Sequence, residues 1–236
     1  MSGFFDVYSI IFLVVAVVIF MRLGSVLGRR TGNEPTSYDA APKPTARPAA
    51  PSGNDNVVPL PRRDQGSETR ADAAVLEAVQ RHAEPGSELH AKLLAVVKAM
   101  PSFDPDHFLT GAKAAYEMIV TAFADGDRAV LKNLLAPEVY EGFVAAIDER
   151  EARGERVEST FVGIQDARIS DAEIDGRIVR ISVRFVSELI SVTRNKAGQV
   201  VEGDPTAVQN VRDVWTFARD ATSRDPNWKL VATEAV

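Results

Sequence analysis

The spacing of hydrophobic residues changes along this chain and separates it into segments of different character. Up to Met21 the sequence is almost wholly apolar, the next fifty residues are polar and rich in proline, and from about residue 71 apolar residues recur at regular intervals. An unbroken apolar run predicts a transmembrane helix, a polar stretch without period predicts disorder, and regular recurrence predicts folded elements. The predicted segments are a transmembrane anchor at 1–27, a disordered Pro/Ala-rich linker at 28–70, flanking helices at 71–102 and a folded domain at 103–236.

The N-terminal apolar run has the length of a membrane-spanning helix. Val7 to Met21 contains no charged residue, and counted from Phe4 the stretch of about 18 residues forms a helix of about 27 Å, against a hydrocarbon core of about 30 Å. The predicted anchoring residues are Phe12, Val15 and Ile19 within the run and Arg22 at its end, where the guanidinium group can reach the lipid headgroups.

The basic residues around this run predict its orientation. Arg22, Arg29 and Arg30 all follow it, and no basic side chain precedes it. The positive-inside rule therefore places the N-terminus in the periplasm and the rest of the chain in the cytoplasm, as a single-pass protein of the bacterial inner membrane. The alternative is a cleaved signal peptide, which would export the chain, but such a peptide carries its positive charge before the apolar run.

The second segment has the composition of a linker. Residues 31–70 hold seven of the thirteen prolines, and Ala, Ser, Thr and Gly fill much of the remainder. Such a composition buries too little apolar surface to offset the entropy lost on ordering, so we expect a disordered and extended segment. Val57, Val58 and Leu60 either form a short docking motif here or merely interrupt the linker.

Helical spacing dominates from residue 72 to Gly154. Asp72–Arg81 is a short helical candidate, and a clearer helix follows Ser87, with Leu89, Leu93, Val96, Val97 and Met100 on one face. Periodicity alone does not decide whether this face packs on the domain, on lipid or on a partner, and packing within the domain is the default.

The next helix has a detailed start signal. Asp104 is placed to cap it, Pro105 occupies its first position, and Phe103 is spaced to contact Phe108. The apolar face that follows consists of Phe108, Ala112, Ala115, Tyr116, Ile119 and Phe123. Asp125-Gly126-Asp127 ends this helix and caps a short one, and a last helix runs from Pro137 to about Gly154 with Val139, Phe143 and Ile147 on one face.

After Gly154 the apolar period changes to two, which predicts strands. In Ile178–Leu189 apolar residues alternate with arginine and serine, so that one face of the strand is buried and the other is wet. The pattern predicts an α+β fold in which helices pack on one side of a curved antiparallel sheet. The remaining predicted strands are Phe161–Ile169, with a bulge near Gln165 or Asp166, Val211–Arg219 and Asn227–Thr233.

Composition narrows the chemistry that this chain can perform. The net charge is −6, and a count by segment leaves −8 on residues 71–236, which argues against a nucleic acid partner because phosphate binding depends on Lys and Arg. There is no cysteine and there are only three histidines. Thiolate metal sites, cysteine nucleophiles and disulfides are excluded, and neither a metal nor another cofactor is predicted.

Helices over a curved sheet commonly leave an apolar pocket at the open end of the cone. The side chains predicted to line this pocket and to bind a partner are Phe108, Tyr116, Ile119, Phe123, Phe143, Val183, Phe185, Asp213, Trp215 and Phe217. Most of the aromatic members are expected first of all to form the core. No catalytic residue is predicted, because no histidine follows His107.

Asp213 is the one carboxylate that the alternation of its strand places on the same face as Trp215. Three alternatives stay open for it. It acts as an acid or base beside Tyr116 or Tyr140, forms a structural ion pair with Arg180, Arg184 or Arg219, or sits at an edge of the sheet.

Several motifs in order resemble the TimA family of alphaproteobacteria. They are the stretch 103–117, Gly163-Ile164, Glu202-Gly203-Asp204-Pro205, the stretch 215–220 and the stretch 225–233. The match extends from Gly86 to the C-terminus and includes the anchor and linker arrangement. This family resembles the C-terminal domain of the Tim-forty-four-type subunit of the mitochondrial import translocase, and shares the cone fold of nuclear-transport-factor-two-like proteins.

The resemblance implies adaptor work at a membrane. In mitochondria such a subunit recruits a heat-shock chaperone to the exit of the inner-membrane channel, and a relative sits on mitochondrial ribosomes facing the membrane. The chaperone-recruiting portion lies mainly before the shared domain, where this chain has only its short linker, so chaperone recruitment does not follow from the resemblance.

The function expected from these observations is that of a membrane-anchored adaptor and not of an enzyme. Its expected partners are membrane lipid and a protein of the translocation or membrane-biogenesis machinery, held at the inner face of the inner membrane. Two alternatives remain, namely a tether associated with a ribosome or an insertase, and a small-molecule enzyme working in the cone pocket.

Overall fold

The computed structural model describes residues 65–236, with side chains described from residue 73 onward. The predicted anchor with Phe12, Val15, Ile19 and Arg22 lies outside the described residues, as does the predicted linker up to residue 64. Among the helices of residues 65–236, none combines the length and the apolar character needed to cross a membrane.

In this part of the chain, helices come first and strands follow. The helices are α1 (Gln65–His82), α2 (Glu88–Ala99), α3 (Pro105–Asp125), α4 (Arg128–Leu134) and α5 (Pro137–Arg153). The strands are β1 (Arg156–Asp175), β2 (Ile178–Arg194), β3 (Val200–Gly203), β4 (Gln209–Asp220) and β5 (Lys229–Ala235). The predicted α+β class, with helices packed on an antiparallel sheet, is confirmed.

Helix α1 begins earlier than the apolar pattern predicted. It starts at Gln65, so the predicted end of the linker at residue 70 falls inside a helix. The added turns contain Gln, Glu and Arg, which favour helix without an apolar face, whereas the sequence argument relied on apolar spacing.

The residues predicted to start and stop helix α3 are confirmed. Oδ1 of Asp104 accepts hydrogen bonds from the backbone N–H groups of Asp106 at 2.9 Å and His107 at 3.3 Å. The Phe103 and Phe108 rings lie 5.7 Å apart. Gly126, with a φ of 74°, ends the helix in the left-handed region that favours glycine. Residues within a few positions of each end therefore set the bounds of α3.

The sheet is antiparallel throughout, in the order β1-β2-β4-β5, and β3 pairs with the end of β2 beyond β4. The pairing of β1 with β2 shifts register between Ile164 and Asp166, which confirms the predicted bulge near Gln165. Further shifts occur between Phe161 and Gly163 and between Ile169 and Asp171. Bulges bend a strand and increase its twist, so β1 curves along the helices that pack on it.

The core lies between helix α3 and the central strands. Tyr116 and Ile119 of α3 and Phe185 and Phe217 of the sheet are among its largest buried side chains. Helix α2 packs on β1, with Leu93 and Val96 fully buried in the same core. The apolar face of α2 therefore packs within the domain, as the default prediction had it.

Candidate functional site

One face of β4 carries the residues around which the site is built. Because alternate residues of a strand point to the same side of the sheet, Asp213, Trp215, Phe217 and Arg219 share this face. Trp215 and Phe217 are buried, whereas Asp213 and Arg219 are partly buried. The face thus has aromatic residues at its centre, an acid at one end and a base at the other.

The first cavity, which we call the Asp213 cavity, has a volume of about 320 Å³. Its wall is formed mainly by residues of α3 and β4, with β5 and single residues of α5 and β2 completing it. From the predicted pocket set it contains Tyr116, Ile119, Phe123, Phe143, Asp213 and Trp215. Residues that the prediction did not include are Val120, Leu189, Gln209, Asn210, Val211, Arg212, Thr233, Glu234, Ala235 and Val236.

The hydroxyl group of Tyr116 connects Asp213, which lines this cavity, with the buried Ser187 behind it. It donates a hydrogen bond to Oδ2 of Asp213 at 2.8 Å and lies 2.8 Å from Oγ of Ser187. The tyrosine ring is stacked on Phe185 with a centroid distance of 4.4 Å and lies equally close to Trp215. A tyrosine hydroxyl has a single proton to donate. While Asp213 is ionised it accepts that hydrogen bond, so the Ser187 hydroxyl must donate to the oxygen of Tyr116.

Burial raises the pKa of the Asp213 carboxyl group to about 6, although the hydrogen bond from Tyr116 works in the opposite direction. The carboxyl group of Asp213 therefore titrates near pH 6. None of the salt bridges among the described residues joins Asp213 to an arginine, and Arg180 pairs instead with Asp175 at 3.3 Å. The predicted proximity of Tyr116 to Asp213 is therefore observed, and the predicted ion pair with Arg180, Arg184 or Arg219 is not seen among the described residues.

The remaining predicted pocket residues lie elsewhere. Phe108 and Phe217 line a second cavity, and Val183 and Phe185 are fully buried in the core and line neither cavity. Strand alternation correctly placed Val183 and Phe185 on the helix side of the sheet. It does not reveal that α3 covers the middle of that side, with one described cavity towards each end of the helix.

The second cavity, which we call the Arg219 cavity, has a volume of about 630 Å³. It is lined by Phe103, Phe108, Phe217, Trp228 and Arg219, together with Met100, Ser102, Asp104, His107, Gly111, Ala112, Ala115, Leu134, Pro226 and Asn227. The Phe108 and Trp228 rings meet edge to face at 4.8 Å. Nε of Arg219 is buried and has no hydrogen-bond partner among the described residues.

Sequence reasoning missed the Arg219 cavity as a separate site. Arg219 was considered only as a partner for Asp213, although the two-residue period of β4 places it beyond Phe217, at the other end of the strand face. Among the described residues, no group of three or more His, Cys, Asp or Glu side chains is arranged to hold a metal ion.

Comparison with known proteins identifies relatives of this domain. A family model described as "Tim44-like domain" matches residues 90–235. The mitochondrial import inner membrane translocase subunit TIM44 of Mus musculus is 26% identical over 152 residues, which is 63% of this chain and 34% of the relative. An uncharacterized protein of Rickettsia prowazekii is 26% identical over 139 residues, covering 59% of this chain and 56% of the relative. The chain thus spans about a third of the length of the mouse protein.

Solved structures resemble the domain only distantly. The intermembrane space region of the chloroplast protein ARC6 has a TM-score of 0.39 at 12% identity, over 54% of this chain and 95% of that one. An NTF2-like protein from Cytophaga hutchinsonii has a TM-score of 0.29 at 18% identity, over 52% of this chain and 93% of that one. Neither likeness bears on function.

Proposed function

Since the chain belongs to the Tim44-like domain family, we propose that it is a membrane-anchored adaptor of the alphaproteobacterial TimA type. The adaptor holds a protein of the translocation or membrane-biogenesis machinery at the cytoplasmic face of the inner membrane. Residues 1–27 anchor it as a single-pass helix with its N-terminus in the periplasm, and the domain makes the contact with the partner.

The observation that carries this proposal is the Asp213 cavity. Its walls are largely apolar, and its volume of about 320 Å³ lies within the range of sites that enclose a small ligand or a few side chains. Insertion of an apolar segment of the partner would remove apolar surface from water, which favours binding. Lipid from the adjacent membrane is the other ligand with this chemistry.

The anchor and its orientation are supported by the sequence. The uncharged run from Val7 to Met21 is followed by three arginines and preceded by none. The positive-inside rule then places the domain in the cytoplasm. The net charge of −8 on residues 71–236 repels the domain weakly from an anionic leaflet, which favours a protein partner over the membrane surface.

Photo-crosslinking in intact cells tests the proposal. Val236 lines the Asp213 cavity and is 58% exposed, whereas Val201 is 50% exposed on β3 and lies outside the lining of that cavity. A benzophenone side chain replaces one or the other in the full-length protein. We expect position 236 to give a protein adduct of defined mass from the translocation or biogenesis machinery, at least fivefold stronger than at position 201.

A third variant ties the adduct to the cavity itself. Val120 is partly exposed and lines the Asp213 cavity, so Val120→Trp fills the space without replacing a fully buried residue. The adduct at position 236 should fall at least fivefold in this background. Equal adducts at 201 and 236, or an adduct unaffected by Val120→Trp, would refute the proposal, and a ribosomal adduct would establish the tether alternative instead.

A second candidate function, a small-molecule enzyme, is favoured by one specific observation. The pKa of Asp213 is raised to about 6 by burial, and Tyr116 lies within hydrogen-bond distance of it, which is a pairing suited to acid–base chemistry near neutral pH. The two functions separate in Asp213→Asn. An enzyme would lose turnover in this variant, whereas an adaptor that uses the apolar wall would keep its adduct at position 236.

A further inference from the structure

We propose that the Arg219 cavity is a second binding site, which takes a monoanionic carboxylate attached to an apolar or aromatic body and pairs that carboxylate with the guanidinium group of Arg219. This site goes beyond the adaptor contact proposed above and does not depend on it. The two cavities share no lining residue, so each can be altered without touching the wall of the other.

The first support is the incomplete set of partners around Arg219. Its Nε is buried with no acceptor among the described residues, and its Nη2 has only a 3.4 Å contact with the carbonyl oxygen of Ser223. Nε and Nη2 form one edge of the guanidinium group, whose two N–H donors match the two oxygens of a carboxylate. Arg219 lines the cavity, so an anion that enters the cavity would supply the acceptor that Nε lacks.

The acids close to this arginine in sequence or in the cavity wall already have other partners. Asp220 pairs with Arg177 at 3.6 Å and accepts a hydrogen bond from the Thr222 hydroxyl at 2.7 Å. Asp225 accepts from Asn227, and Asp104 accepts from the first backbone N–H groups of α3. None of these carboxylates forms a salt bridge with Arg219 in the described part of the chain, so the guanidinium group remains available.

The second support is the aromatic wall beside the guanidinium group. Phe103, Phe108 and Trp228 form a cluster with centroid distances of 5.7 Å, 6.0 Å and 4.8 Å. Phe217 extends this cluster, lying 6.1 Å from Phe108. Such rings bind the apolar part of a ligand, while a single cation orients its acid group. At about 630 Å³ the cavity has room for both parts.

The charges at the rim select a monoanion. Asp104 lines the same cavity and is exposed, so a second negative charge on the ligand would meet a carboxylate there. Arg219 is the only arginine or lysine in the described wall, and His107 contributes an exposed imidazole. The balance suits one carboxylate better than a phosphate dianion. Both a free aliphatic acid and the C-terminus of a peptide have this chemistry.

The fluorescence of Trp228 provides a direct measure of binding. The chain has two tryptophans, and Trp215→Phe leaves Trp228, which lines the Arg219 cavity, as the only one. The full-length Trp215→Phe protein is titrated at pH 7.5 with octanoate and with octan-1-ol, which has the same chain without the charge. We expect octanoate to bind saturably, at least tenfold more tightly than octanol.

Substitution of the arginine assigns the effect to its charge. Arg219→Gln should weaken octanoate at least tenfold and leave octanol unchanged, whereas Arg184→Gln, at an exposed position of β2, should change neither. In case Arg219→Gln fails to fold, Gly111→Phe offers a second variant. A Cβ atom placed at Gly111 has no atom within 4 Å, and Gly111 lines the cavity, so a phenylalanine there is expected to block octanoate while Arg219 is retained.

The same titration with a short peptide ending in Phe, and with its C-terminal amide, distinguishes the two sources of the carboxylate. Binding of the free-acid peptide that depends on Arg219 indicates a polypeptide C-terminus, and binding of octanoate alone indicates a free aliphatic acid. Equal affinity for the charged and uncharged members of both pairs, or binding unaffected by both Arg219→Gln and Gly111→Phe, would overturn the proposal.

Discussion

Asp213 and Arg219 lie on the same face of β4. The fold supplies a hydrogen-bond partner for the Asp213 carboxylate but none for Nε of Arg219 among the described residues. Oδ2 of Asp213 accepts a hydrogen bond from the Tyr116 hydroxyl at 2.8 Å, and this hydroxyl also lies 2.8 Å from Oγ of Ser187. Arg219 leaves Nε without an acceptor among the described residues. Burial raises the pKa of Asp213 to about 6, so this residue is expected to respond to pH, whereas Arg219, whose Nε lacks an acceptor, is expected to respond to an anionic ligand.

The raised pKa of Asp213 implies that the free energy of unfolding depends on pH. The folded pKa of about 6 lies above the ordinary value of 3.8, so folding favours the protonated form. Its contribution is fully present below about pH 4 and is lost as the pH rises through about 6, which lowers the free energy of unfolding by about 2 kcal/mol between pH 4.5 and 7.5.

Asp213→Asn should remove this part of the pH dependence. The asparagine oxygen still accepts from Tyr116 but has no proton to lose, so the variant is expected to gain on the wild type as the pH rises. Urea unfolding of the full-length protein, followed by tryptophan fluorescence at pH 4.5, 6 and 7.5, measures the difference. Glu117→Gln, an exposed change on α3, is the control, and parallel curves for wild type and Asp213→Asn would contradict the assignment.

At the scale of elements, the sequence predicts what is encoded locally and misses what depends on distant pairing. Asp104, Pro105 and Gly126 set the ends of α3 by cap chemistry within a few residues, and these ends are as predicted. Strand β3 was not predicted, because its four residues are mostly exposed and acquire order only by pairing with the end of β2. Glu202 and Gly203 drew attention by family resemblance alone.

The structure gives Gly203 a physical role and a testable consequence. Its φ is +79°, and a Cβ atom placed there would lie 2.2 Å from the backbone oxygen of Ser191. Gly198 has nearly the same φ of +78°, with no atom within 4 Å of such a Cβ. Gly198→Ala therefore carries only the backbone cost, about 1 kcal/mol, whereas Gly203→Ala adds a clash that costs about 1–3 kcal/mol more.

Urea unfolding of the two glycine variants measures how much the close contact between β3 and β2 contributes to the loss of stability. A common φ means that the difference between their unfolding free energies reports the contact with Ser191 and not the left-handed backbone. Equal losses in the two variants would show that β3 is held less closely against β2 than the backbone distances indicate.

At the scale of the whole molecule, the candidate sites depend on how one helix lies across the sheet. Helix α3 contributes Tyr116 and Ile119 to one cavity and Phe108 and Gly111 to the other. The two-residue period of β4 predicts which residues face α3, but the part of that face left uncovered depends on packing and not on period. For this reason the single pocket predicted from the sequence combined residues of both cavities with Val183 and Phe185 from the covered core, and omitted Phe103 and Trp228.

The absence of cysteine from the full sequence makes the topology of the molecule directly measurable, because a single engineered thiol is the only reactive one. Ala197 is exposed in the turn between β2 and β3, and Ser2 precedes the apolar run. With a membrane-impermeant maleimide, Ala197→Cys should be labelled in inverted vesicles and not in spheroplasts, and Ser2→Cys should show the reverse, because the arginines follow the run.

A cleaved signal peptide predicts a different outcome in the same experiment. The Ser2→Cys label would then be lost from the mature protein, and Ala197→Cys would react from the periplasmic side on a shorter, soluble chain. That result would remove the cytoplasmic adaptor and yet leave the Arg219 cavity as it is, because all the residues that form the cavity lie at or beyond Met100. The ligand of the domain and the compartment in which it works are therefore separable properties of this molecule.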